Sequence, residues 1–186
     1  MNTHAGQSPV SYPVQVSRLP RNGLAVTIDA DAAERAALAS VHGVDSVDSF
    51  RATLQVMPWK RNGVKVEGRV EAEIGQSCVV TLEPLACTIR EAVEGVFLPA
   101  DSKLGRQGFS AGGEMLLDAD GPDGPEIFEG DSIDVGALAE EFFGLAIDPY
   151  PRKAGVSAGD APARRETAAT PEGPLQEALR RLTRKE

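Results

Sequence analysis

The segment from Val64 to Ile74 alternates between apolar and charged residues, and this pattern constrains the fold more than any other feature of the chain. The charged positions are Lys65, Glu67, Arg69, Glu71 and Glu73. Successive side chains of a β-strand point to opposite faces, so the alternation predicts a strand with one buried and one solvated face. Such half-buried strands are typical of antiparallel sheets.

The flanking sequence predicts that this strand belongs to an antiparallel meander. Asn62-Gly63 is a strong signal for a hairpin turn, and the segment from Asp48 to Met57 before it carries apolar residues at alternate positions. A Glu83-Pro84 turn separates two later candidate strands. The further segments with strand-like patterns are residues 12–18, 24–28, 78–82 and 87–98.

A first helix is predicted between the second and third strands. Asp29 or Asp31 can cap its N-terminus, and Gly43 can end it. Its apolar side is mostly alanine, with Leu38 and Val41, so we expect it to lie close to a sheet. The sequence therefore predicts an α+β fold, in which an antiparallel β-sheet or partly open barrel packs against a few helices.

A second helix is predicted to begin after Asp134, whose carboxylate is a good N-cap and suits the positive end of the helix dipole. Pro149 and Pro151 follow the helix and cannot continue it. Apolar residues recur at helical spacing and are expected to form one buried stripe, namely Val135, Leu138, Phe142 and Leu145.

Composition divides the chain into a domain and a tail. Residues 10–152 carry the predicted elements and are interpreted as one domain. Within it, residues 99–130 are acidic and rich in Pro, Gly, Asp and Ser, which predicts a flexible insertion. Residues 153–186 are interpreted as a linker followed by a short basic amphipathic helix, in which leucines recur at helical spacing.

The charge of the chain is negative and unevenly spread. The formal net charge is −9; residues 1–150 contain 11 Lys and Arg against 23 Asp and Glu, whereas residues 151–186 contain 8 against 5. This balance argues against a protein whose whole surface binds nucleic acid. Two cysteines, a start that resembles no targeting segment, and the lack of any run near the ~18 apolar residues of a membrane span predict a cytoplasmic protein without membrane attachment.

Residues that could carry catalysis or hold a metal are sparse. Cys78 and Cys87 are nine positions apart and only His4 and His42 could assist them, unlike the four close ligands of a structural zinc site. Cys78 is interpreted as a small core residue, and no neighbouring sequence feature predicts a lowered thiol pKa. No phosphate-binding loop and no Ser-His-Asp set can be argued. We therefore expect no enzyme activity, no bound metal and no cofactor.

One basic region interrupts the acidic domain. From Arg51 to Arg69 the chain carries five cations against one acid, Glu67, and Trp59 lies beside Lys60 in the hairpin. Cations beside an exposed aromatic ring suit RNA, although a solvated hairpin with Trp59 packed on the sheet is the alternative. The candidate RNA-binding residues are Arg51, Trp59, Lys60, Arg61, Lys65 and Arg69, helped by Arg180, Arg181, Arg184 and Lys185 in the tail.

A second region has the opposite charge. Residues 107–151 contain 11 acids and no Lys or Arg. Such a surface repels nucleic acid and suits a basic protein, unless it serves only to keep the chain soluble. The candidate partner-binding residues are Asp134, Glu140 and Glu141.

The order of these features resembles the YceD family, also known as the large ribosomal RNA subunit accumulation protein family. The family pattern is a mid-chain Cys followed by Leu-x-Pro after a strand, and then an Asp-Leu helix that carries Glu and ends at Pro. Thr81 stands where members often have the second Cys of a Cys-x-x-Cys motif. The matching positions are Cys78, Leu82, Pro84, Asp134, Val135 (in place of Leu), Glu141, Leu145, Pro149 and Pro151.

The resemblance, which covers about residues 10–155 and the tail, implies a non-enzymatic bacterial factor needed for accumulation of large-subunit (23S) ribosomal RNA. It brings no established binding residues with it. Combined with the basic hairpin, it predicts a ribosome-biogenesis factor that binds large-subunit rRNA or an assembling large subunit. The alternative is an acidic adaptor or holdase for a basic ribosomal protein.

Overall fold

The predicted hairpin is the centre of the observed sheet. Strand β3 (Ser46–Trp59) pairs antiparallel with β4 (Gly63–Ser77), and β2 (Leu24–Asp29) and β5 (Pro84–Pro99) flank them. A short strand, β6 (Glu126–Phe128), pairs parallel with the end of β5 and completes an open five-stranded sheet. The structure is a computed structural model that describes residues 7–60, 62–100, 102 and 124–157.

The two faces of β4 are buried and solvated as the alternation predicts. Its apolar side chains are almost completely excluded from water, and its charged side chains lie on the other face of the sheet. Gly68 interrupts the pattern because a Cβ there would come within 2.1 Å of the Thr53 carbonyl oxygen on β3. The buried apolar positions are Val64, Val66, Val70, Ala72 and Ile74.

Helix α1 (Ala32–His42) packs on β3 and has both predicted ends. Asp31, rather than Asp29, is the N-cap and forms a reciprocal capping box with Glu34, and Gly43 ends the helix at φ 66°. Leu38 is buried, whereas Val41 is 63% exposed, so the expectation that Val41 lies on the apolar side is wrong.

Helix α2 (Val135–Leu145) covers the inner face of β4 and β5, and the Asp134 carboxylate caps it as predicted. The predicted buried stripe is wrong in its second half, because Phe142 is only partly buried and Leu145 is 75% exposed. Phe143 takes their place: its ring packs edge-on against Phe50 at 5.4 Å. The buried side chains of the helix are Val135, Leu138, Ala139 and Phe143.

The N-terminal segment forms a shorter strand than predicted. Strand β1 (Pro13–Gln15) pairs with β7 (Ser132–Asp134) in a separate two-stranded sheet, and Val16–Arg18 forms a 3₁₀ turn. The chain bends there because the Val16 amide donates to the Asp131 carbonyl oxygen and the Ser17 amide to the Asp131 carboxylate.

The segment from Cys78 to Leu82 is a turn, not the predicted strand. The Leu82 amide donates to the Cys78 carbonyl oxygen, and the Cys78 amide donates to the Glu83 carbonyl oxygen. These bonds close a loop between β4 and β5 and place Leu82 at φ 61°. Cys78 is buried although it lies at the start of a turn, so its burial does not require a strand.

The proposed division of the chain is only partly covered by the structure. Strand β6 lies inside the segment that was predicted to be a flexible insertion, whereas residues 103–123 lie outside the described residues. The tail from residue 158 onwards, with its predicted basic helix, also lies outside them. No helix in the described part of the chain is long and apolar enough to cross a membrane.

Candidate functional site at the β3–β4 hairpin

The tip of the β3–β4 hairpin places an aromatic ring beside a cation. Trp59 pairs with Gly63 across the hairpin, and Asn62 takes the left-handed conformation, at φ 63°, that the turn requires. The Lys60 ammonium lies 5.5 Å from the centre of the half-buried Trp59 ring. Within the described chain Lys60 forms no ion pair with a carboxylate, so its charge is available to a ligand.

Three further predicted cations, Arg51, Lys65 and Arg69, lie on the solvated face of the sheet and are already paired. Arg51 binds the Asp29 carboxylate, and its pKa is raised mainly by that hydrogen bond. Lys65 binds Glu67 and also Glu94, at 3.1 Å, and these hydrogen bonds raise its pKa. The Arg69 guanidinium lies 3.9 Å from the Glu71 carboxylate. Much of the positive charge expected of this face is therefore neutralised locally.

The strand register separates the predicted cations. Lys65 lies opposite Met57, about 7 Å along the sheet from Trp59 at ~3.3 Å per residue. Arg69 lies opposite Thr53, and Arg51 lies eight residues from Trp59, or about 26 Å. The structure brings Trp59 and Lys60 together, with Lys65 nearby, and places Arg51 and Arg69 elsewhere. Arg61 follows Lys60 in the sequence but lies outside the described residues.

A cavity of about 520 Å³ opens beside Trp59 at this end of the sheet. Asp131 lines it, and the Asp131 carboxylate accepts hydrogen bonds from the Ser17 amide, at 3.1 Å, and the Ser17 hydroxyl, at 2.6 Å. Sequence analysis missed both residues because they are 114 positions apart and no local pattern connects them. The lining residues are Val16, Ser17, Leu19, Pro58, Trp59, Asn62, Gly63, Val64, Pro99, Phe128, Gly130 and Asp131.

Two of the three predicted partner-binding acids are engaged within the protein. The Asp134 carboxylate accepts hydrogen bonds from the amides of Gly136 and Ala137 and also from Tyr12 and Ser11 of the N-terminal segment. Glu140 is only 13% exposed and lies 3.2 Å from His42 at the end of α1. Both acids therefore hold the fold together.

Glu141 is the predicted acid that remains exposed. It lies with Glu126 at a smaller cavity, of about 260 Å³, between β6 and α2. The pKa of Glu126 is raised, chiefly by burial and secondly by the negative charge of Glu141. Two carboxylates that repel each other beside an apolar wall form a pair that a cation would stabilise.

The two halves of the sequence motif meet in space. The turn that begins at Cys78 contacts the segment after α2, since the Val79 amide donates to the Pro151 carbonyl oxygen at 2.9 Å. Gln76 donates to the Asp148 carbonyl oxygen at 3.0 Å, and the Lys153 ammonium binds the Glu83 carboxylate at 2.8 Å. A family model described as "Large ribosomal RNA subunit accumulation protein YceD" matches residues 66–182, more than half of the chain.

The chain belongs to the YceD family. Membership confirms the resemblance drawn from the motif and implies involvement in the accumulation of large-subunit ribosomal RNA. Neither a curated protein nor a solved structure matches the chain. The YceD match begins at residue 66, within β4. The hairpin tip at Trp59 therefore lies before the matched residues, and its geometry alone characterises it.

The Cys78 thiol of the YceD motif is buried, as expected, but its environment differs from the prediction. Hydrogen bonds from Thr81 and then from the Lys153 amide lower its pKa to about 6, and they outweigh the opposing effect of burial. Thr81 stands where family members often have a second Cys, and here it stabilises the Cys78 thiolate. No group of three or more potential metal ligands occurs in the described ranges of the chain.

Other positions of the YceD motif are exposed and apolar. Leu82 is 70% exposed at the Cys78 turn, and Leu145 lies at the exposed end of α2. Pro151, by contrast, is buried, and Pro84 begins β5 opposite Ser77. The motif therefore combines residues that join two loops with residues that contribute nothing to the core.

Proposed function

We propose that this member of the YceD family supports accumulation of large-subunit rRNA by binding that RNA, or an assembling large subunit, through the hairpin tip. The hairpin tip comprises Trp59, Lys60, Arg61 and Asn62. The observation that carries the proposal is the Lys60 ammonium beside the Trp59 ring at the mouth of an open cavity. Proteins hold single-stranded RNA with this combination of a cation for phosphate and an aromatic ring for a base.

The distribution of charge favours the hairpin tip over the paired cations of the sheet and over the acidic segment. Arg51, Lys65 and Arg69 are compensated by neighbouring carboxylates, and residues 107–151 are entirely acidic among their charged side chains. Phosphates are repelled from those regions, so the field of the protein directs RNA towards Lys60 and Arg61. The net charge of −9 keeps the affinity modest.

The test is a charge reversal at the hairpin tip with a matched control. We expect Lys60→Glu combined with Arg61→Glu to weaken binding of the full-length protein to large-subunit rRNA fragments by about tenfold or more. The control, Arg51→Glu combined with Arg90→Glu, changes the total charge equally on the solvated face of the sheet and should change the affinity less than about threefold. Equal losses in both variants would mean that only net charge matters, and no loss in either would contradict the proposal.

A second candidate function is the acidic adaptor for a basic ribosomal protein. The observation that favours it is the pair of Glu126 and Glu141, whose mutual repulsion at the smaller cavity a Lys or Arg side chain would relieve. Glu126→Gln with Glu141→Gln should then abolish co-purification of a basic protein, whereas Glu73→Gln with Glu91→Gln on the sheet should not. Retention of the partner by the first variant would remove this candidate.

A further inference from the structure

We infer that the cavity beside Trp59 binds one unstacked base of single-stranded RNA and prefers a base that carries an exocyclic amino group. This inference rests on the proposed function and adds the chemical class of the ligand. The cavity volume of about 520 Å³ lies within the usual range of ~300–1,000 Å³ for small-ligand sites. A single nucleotide is a ligand of that size.

The apolar walls of the cavity suit a flat ring. Trp59, Pro58, Pro99 and Phe128 come from three different strands and all line the same space. Aromatic and proline rings offer flat surfaces that stack on a base, and stacking accepts every base because each has a π face. Sequence-selective proteins bind RNA chiefly through such unstacked bases, whose edges are then free to be read.

The charges around the cavity orient the nucleotide. Lys60 lies beside Trp59 on one side, where it can pair with a phosphate. Asp131 lines the cavity and is fixed by its hydrogen bonds to Ser17, and among the described residues it pairs with no Lys or Arg. A carboxylate repels phosphate, so the phosphate is directed towards Lys60 and the edge of the base towards Asp131.

The same carboxylate selects among bases. An ionised Asp side chain only accepts hydrogen bonds, and its recognised partner on a base is an amino group such as N4 of cytosine. Uracil presents a carbonyl oxygen at that position, which repels the carboxylate. Asn62 also lines the cavity, and an Asn side chain can both donate and accept hydrogen bonds. Cytosine and uracil have the same ring size and differ only on this edge, at the amino or carbonyl group and at the adjacent N3, so they form a matched pair of ligands.

The first experiment uses the wild-type, full-length protein. Trp59 is the only tryptophan of the chain, so intrinsic fluorescence reports directly on its ring. Titration with ten-nucleotide oligocytidylate should quench this fluorescence, and oligouridylate should bind about fivefold or more weakly. Binding of oligocytidylate without quenching, or equal affinity for both oligonucleotides, would overturn the inference without recourse to any variant.

The second experiment separates stacking from charge by anisotropy of labelled oligocytidylate. Trp59→Leu should weaken binding about tenfold, and Trp59→Phe, which keeps a flat ring, should weaken it about threefold or less. Asp131→Asn should reduce the preference for cytidine over uridine. Circular dichroism shows whether each variant is folded, and wild-type affinity in folded Trp59→Leu would overturn the inference.

The outcomes also separate this inference from the proposed function. If Lys60→Glu with Arg61→Glu weakens rRNA binding but Trp59→Leu does not, the base site is wrong and the hairpin tip remains an electrostatic RNA contact. If the wild-type protein binds neither oligonucleotide nor any large-subunit rRNA fragment, both proposals fail and the adaptor is favoured.

Discussion

Cys78 illustrates at the scale of one residue how a buried side chain can acquire unexpected chemistry. Its position after β4 predicts a small apolar core residue, yet a hydroxyl and three amides are directed at its sulfur. These donors belong to the turn and to the segment after α2, which contact each other only in the folded chain. The lowered pKa of Cys78 therefore depends on the junction between the two halves of the YceD motif.

The pKa of Cys78 should be measurable from the ultraviolet absorbance of its thiolate. The difference between the wild type and Cys78→Ala should titrate with a midpoint of about pH 6. Thr81→Val removes the largest cause of the shift and should raise this pKa, whereas Thr81→Ser keeps the hydroxyl and should preserve it. A midpoint near the ordinary thiol value in the wild type would contradict this description.

The same pKa implies a dependence of stability on pH. Because the pKa of Cys78 is depressed in the folded state, the unfolded chain binds more protons between pH 6 and 9. The stabilisation is therefore complete above the unfolded pKa near 9 and is lost as the pH falls through 6. Denaturation across this window should show stability rising with pH in the wild type, and Cys78→Ala should lose that rise. An unchanged profile in Cys78→Ala would show that other groups are responsible.

At the scale of elements, Asp134 is the residue that connects α2 to the N-terminal segment. One carboxylate caps the helix and also accepts hydrogen bonds from Ser11 and the Tyr12 amide. Asp31 performs only the first task, for α1. The comparison between them separates the contribution of a cap from that of a tertiary contact.

Asp134→Ala should lower the free energy of unfolding by about 2–4 kcal/mol, because it removes a helix cap and leaves partly buried donors unpaired. Asp31→Ala should cost about 1 kcal/mol as a cap alone. Chemical denaturation of both variants measures the difference. Equal losses would mean that the contacts with Ser11 and Tyr12 contribute nothing.

Some features of the helices and strands could be predicted from the sequence, and others could not. The hairpin and the capped ends of both helices follow from local patterns, since alternation and capping depend on neighbouring residues. Val41 and Leu145 look like core residues by spacing, but both are exposed, because burial depends on which other elements pack against a helix. The cavity at the hairpin tip could not be predicted, because Asp131 and Phe128 reach it only through the pairing of β6 with β5 and β7 with β1.

At the scale of the whole molecule, the hairpin tip is a small basic site on a protein with a net charge of −9. This arrangement predicts few phosphate contacts and a weak dependence of affinity on salt. For two or three contacts to single-stranded RNA, the logarithm of the binding constant should fall with the logarithm of the salt concentration at a slope of about −1.5 to −2. Anisotropy titrations at salt concentrations from about 50 to about 300 mM measure this slope. A slope steeper than about −5 would require a much larger basic surface.

Ultraviolet crosslinking in cells shows whether RNA contacts the hairpin tip. Cells that contain the full-length protein are irradiated, the protein is purified under denaturing conditions, and nucleotide-modified peptides are located by mass spectrometry. If RNA binds at the hairpin tip, large-subunit rRNA should be present among the crosslinked RNA. The modified peptide should then contain Trp59 and Lys60. Crosslinks confined to other segments of the chain would contradict it.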